Sequence, residues 1–192
     1  MDIQRCAWCE NDALYTAYHD EEWGRPLFDA HRLFEMLCLE GQQAGLSWIT
    51  VLKKRPAYRM HFFQHSIASI AAMSDDLLHE KCLDPAIIRH IGKIQAIRAN
   101  AQAWLQLEQQ EIDVVQWLWS FAATPRLNNN VVEYRSLAAF SPASQQMSKA
   151  LKKAGFKFVG PTICYAFMQS VGMVDDHENH CAFKNLQSTS EG

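Results

Sequence analysis

The 192-residue chain is 48% hydrophobic and 11% aromatic, enough to bury a sizeable core. Its 18 basic residues against 21 acidic ones give a formal net charge of -3, which excludes a global cationic field and makes any nucleic-acid-binding face a local one. No apolar run approaches the roughly 20 residues of a membrane span, and acids and a tryptophan stand where a secretory leader would be apolar, so a cytoplasmic protein with no membrane partner is expected.

Residues 1–28 are short on periodicity and rich in special side chains: Cys6, Trp8, Cys9, Tyr15, Tyr18, His19 and Trp23. They are expected to wrap as a segment held by those side chains rather than as a long helix. Asp29 can cap a helix running to about Cys38 on the apolar set Leu33, Phe34, Met36 and Leu37. Ser47 can cap a second, ending in Lys53, Lys54 and Arg55 where cations suit a helix C-terminus. Pro56 starts another short one. Ser66 and Ser74 precede apolar-periodic runs at 67–73 and 77–83, and Asp84 with Pro85 reads as an N-cap and first helical residue of a helix that Gly92 breaks.

From Lys93 to about Gln110 good helix formers predict the longest helix, and Asp113 can cap 114–121. Residues 122–142, with Pro125, Asn128, Asn129, Asn130 and Pro142, have loop character but are too apolar at Val131, Val132 and Leu137 for a free linker. A helix from Ser144 to Ala154, the sequence Gly155-Phe-Lys-Phe-Val-Gly160, and a helix from Pro161 to Gly172 follow. The composition from about residue 186, Ser188 to Gly192 above all, is that of a disordered tail. With almost no strand-like alternation, the fold class is all-α, in a single unit 1–192 of two closely packed helical halves. Cys38, Cys82 and Cys164 sit alone in helical apolar patterns and read as buried free thiols.

Three features carry chemistry. Glu40 lies at the edge of an apolar helix face, where a carboxylate is costly unless something uses it, although a surface position stays open. Gly41 and Gly45 flank Gln42, Gln43 and Ala44, a polar break that permits close approach by a ligand or another backbone. Cys6, Cys9 and His19 near the start and His177, His180 and Cys181 near the end are soft ligands. His177 and Cys181 share one face of a helical turn at i, i+4 spacing. A zinc staple joining the termini and a set of separate structural thiols and histidines are both compatible with that spacing. Finally, Gly155 and Gly160 bracket a short interhelical connection that can offer backbone N–H groups to a phosphate, with Lys152, Lys153 and Lys157 around it. An ordinary αα-turn with a solvated basic end fits as well, and Arg89 to Lys93 is a weaker stretch of the same kind.

The run from Tyr15 through Tyr18 to Trp23-Gly, Leu33-Phe-Glu-Met, the nearly uninterrupted stretch from Leu39 through Glu40 and Trp48 to Arg55, Ile88-Arg-His and the Gly155–Gly160 sequence closely resemble the 3-methyladenine DNA glycosylase I family, over roughly residues 5–181. The resemblance implies a helix-hairpin-helix glycosylase fold and a structural Zn2+ held by Cys6, His19, His177 and Cys181, supported by Asp175 and Asp176, with Cys9 and His180 as neighbouring extras. It implies a base pocket of Trp8, Tyr15, Tyr18, Glu40 and Trp48, with Trp23 in the core and Glu40 recognising the base first and assisting catalysis second. Leu46 becomes the wedge that replaces the flipped nucleotide, Gln42 and Gln43 face the opposite strand, and Gly155, Lys157 and Gly160 hold phosphate. The implied activity is release of 3-methyladenine from alkylated double-stranded DNA by a monomer, leaving an abasic site. Thr162, where related bifunctional enzymes carry a Schiff-base lysine, implies no lyase activity. The competing expectation is a zinc-stabilised helical DNA-binding module without catalysis. A nucleobase deaminase lacks its His-x-Glu and Pro-Cys-x-x-Cys pairing here.

Overall fold

Nine α-helices and one two-residue strand pair make up the regular structure of a computed structural model that describes residues 3–184. The tail expected from about residue 186 lies outside these residues. Helix α1 (Ala13–Glu21) is capped by Asp12, whose side chain accepts from the N–H groups of Leu14 and Tyr15. The expected N-terminal wrap therefore contains a short helix, and the turn Ala7–Cys9 precedes it.

Helix α2 (Ala30–Gln43) starts at the Asp29 cap and runs five residues beyond the expected end at Cys38, so Glu40, Gly41 and Gln42 are helical and buried. Gly41 is there for a close approach: a Cβ would meet the Cβ of Phe158 at 3.2 Å and its carbonyl oxygen at 3.3 Å. Gly45, at φ +76°, makes the sharp turn that glycine adopts without strain. Helix α3 (Trp48–Tyr58) contains Pro56 internally and continues into the π-helical turn Arg59–Phe63, so Pro56 does not start a new helix. Pro56 lies in the last turn of α3, so the N–H bond it cannot make falls next to the change to the π-helical turn.

Helices α4 (Ile67–Ala71) and α5 (Asp75–Cys82) are capped by Ser66 and Ser74 as expected. Asp84 and Pro85 form a turn. Helix α6 (Ile91–Gln109) begins only after His90, whose Nδ1 accepts from Lys93 N at 3.2 Å, and carries Gly92 inside it. Helix α7 (Val114–Trp119) follows the Asp113 cap. The loop region holds strand β1 (Leu127–Asn128) and the turn Tyr134–Ser136. Helix α8 (Pro142–Lys153) starts two residues before the expected Ser144, because Ser141 and Ser144 form a reciprocal capping box around Pro142. Helix α9 (Pro161–Ser170) is followed by β2 (Val174–Asp175), parallel to β1.

Helix α9 packs on α8 and α2, and α2 also packs on α3 and α6. The buried apolar side chains form one cluster from Cys6 to Cys181, with Phe34, Tyr58, Trp104 and Phe167 among its largest members. Cys38 and Cys164 are buried as expected, whereas Cys82 is half-buried. No described helix is long and apolar enough to cross a membrane.

The C-terminus of α2 is secured by α6. The buried Lys93 ammonium donates to the carbonyls of Gln42 at 2.8 Å and Ala44 at 2.6 Å, while Gln42 Nε2 donates back to Lys93 O at 3.0 Å. The Tyr58 hydroxyl donates to Gln42 Oε1 at 3.0 Å. Gln42 is thus an internal tie and has no reach to a bound strand. Lys93 supplies the charge that a helix C-terminus favours. Lys93→Met should leave the buried Gln42 carbonyl and the half-buried Ala44 carbonyl without their donor and lower stability by about 2 to 4 kcal/mol, read from urea unfolding.

Candidate functional site

The C-terminal part of α2 and the start of α3 face α1, α9 and the turn at Tyr134 across a cavity of about 300 Å³. Its walls are Trp8, Tyr15, Tyr18, Trp23, Tyr134 and Trp48, with Glu40, Gln43, Ser47, Ala166 and Gln169 completing the lining. The rings brace one another. Trp8 lies edge-on to Tyr15 at 4.7 Å and to Trp23 at 5.1 Å between centroids, and Tyr18 is tilted against Trp48 at 5.5 Å. The Arg55 guanidinium sits 5.9 Å from the Tyr18 ring centre and is itself gripped by both oxygens of Glu22, at 2.7 and 2.6 Å. The indole N–H groups of Trp8 and Trp48 are buried without a partner among the described residues, leaving two donors in the cavity wall unsatisfied.

All five residues expected in a base pocket therefore meet in one cavity: Trp8, Tyr15, Tyr18, Glu40 and Trp48. Trp23, expected in the core, is buried and lines the cavity as well, and Gln43, expected to face DNA, lines its edge. Tyr134 and Gln169 were missed. Tyr134 sits in a loop with no periodicity to mark it, and Gln169 is one polar residue in an apolar helix.

Glu40 is 3% exposed, and burial pushes its carboxyl pKa up to about 8 against a smaller opposing pull from the nearby Ser170 side chain. Burial thus favours the neutral acid here, and a cation placed beside it would favour the carboxylate.

The chain ends meet behind the Trp8 and Trp23 walls. Donor atoms of Cys6, His19 and Cys181 lie within 4.8 Å of one another, with Cys181 Sγ 3.5 Å from His19 Nε2. His177 packs edge-on against His19 at 5.2 Å, and its Nε2 is buried with no partner among the described residues. Both histidines have Nδ1 committed to a carboxylate, His19 to Asp20 at 2.8 Å and His177 to Asp175 at 2.8 Å, which turns each Nε2 inward. Two thiols and one imidazole nitrogen thus converge as metal donors do, while His177, the fourth expected ligand, lies outside that 4.8 Å group with its buried Nε2 unpartnered beside it. Cys9 donates its thiol proton to Cys6 O, and the exposed His180 bonds Arg5 O, so both stand outside the cluster.

The two aspartates expected to support that cluster part company. Asp175 faces His177, whereas Asp176 accepts from Asn129, Tyr165 and Gln169 on the side of the aromatic cavity. Glu178 links the two regions. Its oxygens accept from Ala7 N and Tyr134 N, each at 2.8 Å, and its own N–H donates to Cys6 Sγ at 3.3 Å.

Leu46 is 42% exposed at the tip of the Gly45 turn. The connection between α8 and α9 is only partly open: Gly155, Phe156 and Lys157 spend their N–H groups on Lys152 O, Leu151 O and Asn100 Oδ1. Those of Phe158, Val159 and Gly160 have no protein partner among the described residues, and Lys152, Lys153 and Lys157 are exposed around them.

The Glu40 shift has a measurable consequence for stability. Below its ordinary pKa of 4.5 the group is protonated in folded and unfolded chains alike. Between there and about 8 the unfolded chain ionises first, so unfolding releases a proton and stability falls as pH rises through that window. In Glu40→Gln this decline should flatten, and the Tm difference should move in the variant's favour from pH 4.5 towards 8.

Residues 8–185 match the model of the methyladenine glycosylase family. The chain is 51% identical over 179 residues to DNA-3-methyladenine glycosylase 1 of Escherichia coli, covering 93% of this chain and 96% of that one. A crystal structure of 3-methyladenine DNA glycosylase I superposes with a TM-score of 0.90 at 51% identity, over 94% of this chain and 99% of that one. A variant of such an enzyme in complex with 3-methyladenine superposes with a TM-score of 0.88 at 34% identity, over 94% and 97% of the two chains. The chain belongs to the 3-methyladenine DNA glycosylase I family and is a DNA-3-methyladenine glycosylase.

Proposed function

We propose that the chain acts as a monomeric, monofunctional glycosylase of base excision repair, working as a single unit in the cytoplasm on alkylated double-stranded DNA. It flips the damaged nucleotide out of the duplex, hydrolyses its N-glycosidic bond and leaves an abasic site with free 3-methyladenine. The observation that carries this reading is a carboxylate buried in an aromatic cavity of about 300 Å³, a chemistry suited to a flat cation. Binding of 3-methyladenine by a relative of the same fold supports it.

Methylation at N3 places positive charge on the base, so the bond from N9 to the sugar is already weak. When it breaks, its electron pair passes to the base, which leaves neutral, and water adds to the sugar carbon and loses a proton. Little acid catalysis is needed. Trp8, Tyr15, Tyr18 and Trp48 offer ring faces worth about 0.5 to 2 kcal/mol each to a desolvated cation. Glu40 accepts hydrogen bonds from the amino edge of the base, ionises as the cation enters, and favours positive charge developing on the sugar.

Leu46 fills the gap left by the flipped nucleotide, with Gln43 beside it. The α8–α9 hairpin holds the backbone through Lys157 and the Gly155–Gly160 connection, whose free N–H groups stand at the start of α9. Cys6, His19, His177 and Cys181 hold a structural Zn2+ that ties the chain ends together; four protein ligands leave no open position, so it takes no part in the reaction. Thr162 is not a lysine, and none of the described cavity-lining residues is one, which supports hydrolysis without a Schiff base.

Incubated with methylated DNA, the protein should release 3-methyladenine without nicking the strand; a failure to release the base would refute the reading. Glu40→Gln should lower single-turnover excision on the order of 100-fold with the fold retained, measured by product chromatography and circular dichroism. The non-catalytic alternative predicts equal background from both. Metal analysis should find zinc in the parent, and Cys6→Ser should lose the ion and unfold at a lower temperature, with excision retained wherever the variant remains folded.

A further inference from the structure

A second carboxylate lies behind the cavity wall, outside the lining, and acts on it at a distance. Asp176 is fully buried and receives donors on both oxygens: Asn129 Nδ2 at 2.6 Å on Oδ1, and the Tyr165 hydroxyl at 2.7 Å and Gln169 Nε2 at 2.8 Å on Oδ2. A carboxamide oxygen cannot face a carboxylate oxygen, so Gln169 has one orientation, with its NH2 towards Asp176 and its Oε1 turned away. That Oε1 lies 3.2 Å from the Tyr134 hydroxyl, which therefore donates to it. A phenol has one proton. Burial, with Glu40 and Asp176 nearby, keeps that proton in place by pushing the phenol pKa up. What remains on the Tyr134 oxygen is acceptor capacity alone. Tyr134 and Gln169 both line the cavity, and Glu178 fixes the Tyr134 backbone from behind through its N–H.

We propose that Asp176 and Gln169 are positioning residues that hold the Tyr134 hydroxyl as an obligate acceptor in the cavity wall, so that Tyr134 selects purines presenting an N–H there and disfavours those presenting a carbonyl. The relay rests on the reading of the cavity as the base site. It makes the wall negative in character without placing a second charge against the base, and it discriminates because a 6-oxo purine would set two acceptors face to face. Tyr165 and Asn129 complete the donors around Asp176, so each oxygen of the carboxylate is occupied and the orientation of Gln169 is not free to relax.

The experiment compares binding of free 3-methyladenine and of 3-methylhypoxanthine, its 6-oxo counterpart, to the full chain by quenching of tryptophan fluorescence. The parent should prefer the amino base. Tyr134→Phe removes only the hydroxyl and should reduce that preference about ten-fold, the size of one hydrogen bond. In Asp176→Asn the new amide can donate to Gln169 Oε1, turning the carboxamide round and freeing the phenol proton towards the cavity, so the preference should fall at least as far with a gain for the 6-oxo base. Gln169→Met, which keeps the volume but neither donates nor accepts as an amide does, should move the preference the same way and serves if the Asn variant does not fold. Neither change should alter the preference further in a Tyr134→Phe background. A folded Tyr134→Phe with the parent's preference overturns the relay, as do effects of Asp176→Asn or Gln169→Met that persist without the hydroxyl. Failure of the parent to bind either base overturns the reading of the cavity itself, a result distinct from a parent that binds both bases alike, which overturns the relay alone.

Discussion

The double hydrogen bond of Glu178 is the constraint on which the cavity depends. Two of its aromatic walls, Trp8 and Tyr134, belong to short turns that have too little regular structure to hold a bulky ring in place. The buried Glu178 carboxylate accepts from the backbone beside each of them, at Ala7 N and Tyr134 N, and so fixes their separation. Glu178 itself lies between His177 and Cys181, in the segment whose donor atoms converge with Cys6 and His19. A metal bound there would lock the position of Glu178, and through it the spacing of the two rings. The proposed staple and the cavity are therefore one mechanical unit, although their chemistry is separate.

Burying Glu40 works against the fold, because desolvation of a carboxyl favours its neutral form and costs stability once the pH exceeds its ordinary range. The surrounding structure carries that cost. Lys93 and Gln42 pin the end of α2 to α6, Gly41 lets the hairpin residue Phe158 close over the helix, and Asn100 secures the hairpin through Lys157 N at 2.7 Å. These ties make the α2 terminus and the α8–α9 hairpin parts of the same rigid frame, so a backbone held at the hairpin is registered against the cavity.

The helical fold was legible because α2, α6 and α9 carry apolar periodicities or runs of good helix formers, and because caps such as Asp29 on α2 are signals that local physics reads directly. Boundaries failed where tertiary ties override local signals. Gly41 stays helical because Phe158 needs the space, and Asp84 makes a turn because its side chain bonds Ala86 N and His61 rather than capping a helix. In the cavity, Glu40 stood out because a carboxylate on an apolar helix face violates the pattern around it. Tyr134, Gln169 and Asp176 gave no such signal. A tyrosine in an irregular loop, a glutamine in an apolar helix and the second of two adjacent aspartates acquire meaning only when the chain brings them within hydrogen-bond distance. Asp175 ends the short β2 strand and Asp176 is the next residue, and the two side chains turn to different partners, one to His177 and the other to Tyr165 and Gln169.

A cavity that attracts a cation inside a protein that must approach a polyanion faces a conflict, since exposed carboxylates would repel phosphates. The net charge of -3 sharpens it. Here the conflict is resolved by burial. Burial favours the neutral form of Glu40, and Asp176 is fully enclosed by its donors and reaches the cavity only through Gln169 and Tyr134. Lys152, Lys153 and Lys157 meanwhile stand exposed on the hairpin. On the proposed reading, negative charge appears at Glu40 only when a cationic base is beside it to be stabilised, so the face presented to DNA stays locally positive during the search. A normal, uncharged base would enter the same cavity without drawing out that charge and would lose the attraction that distinguishes the damaged one.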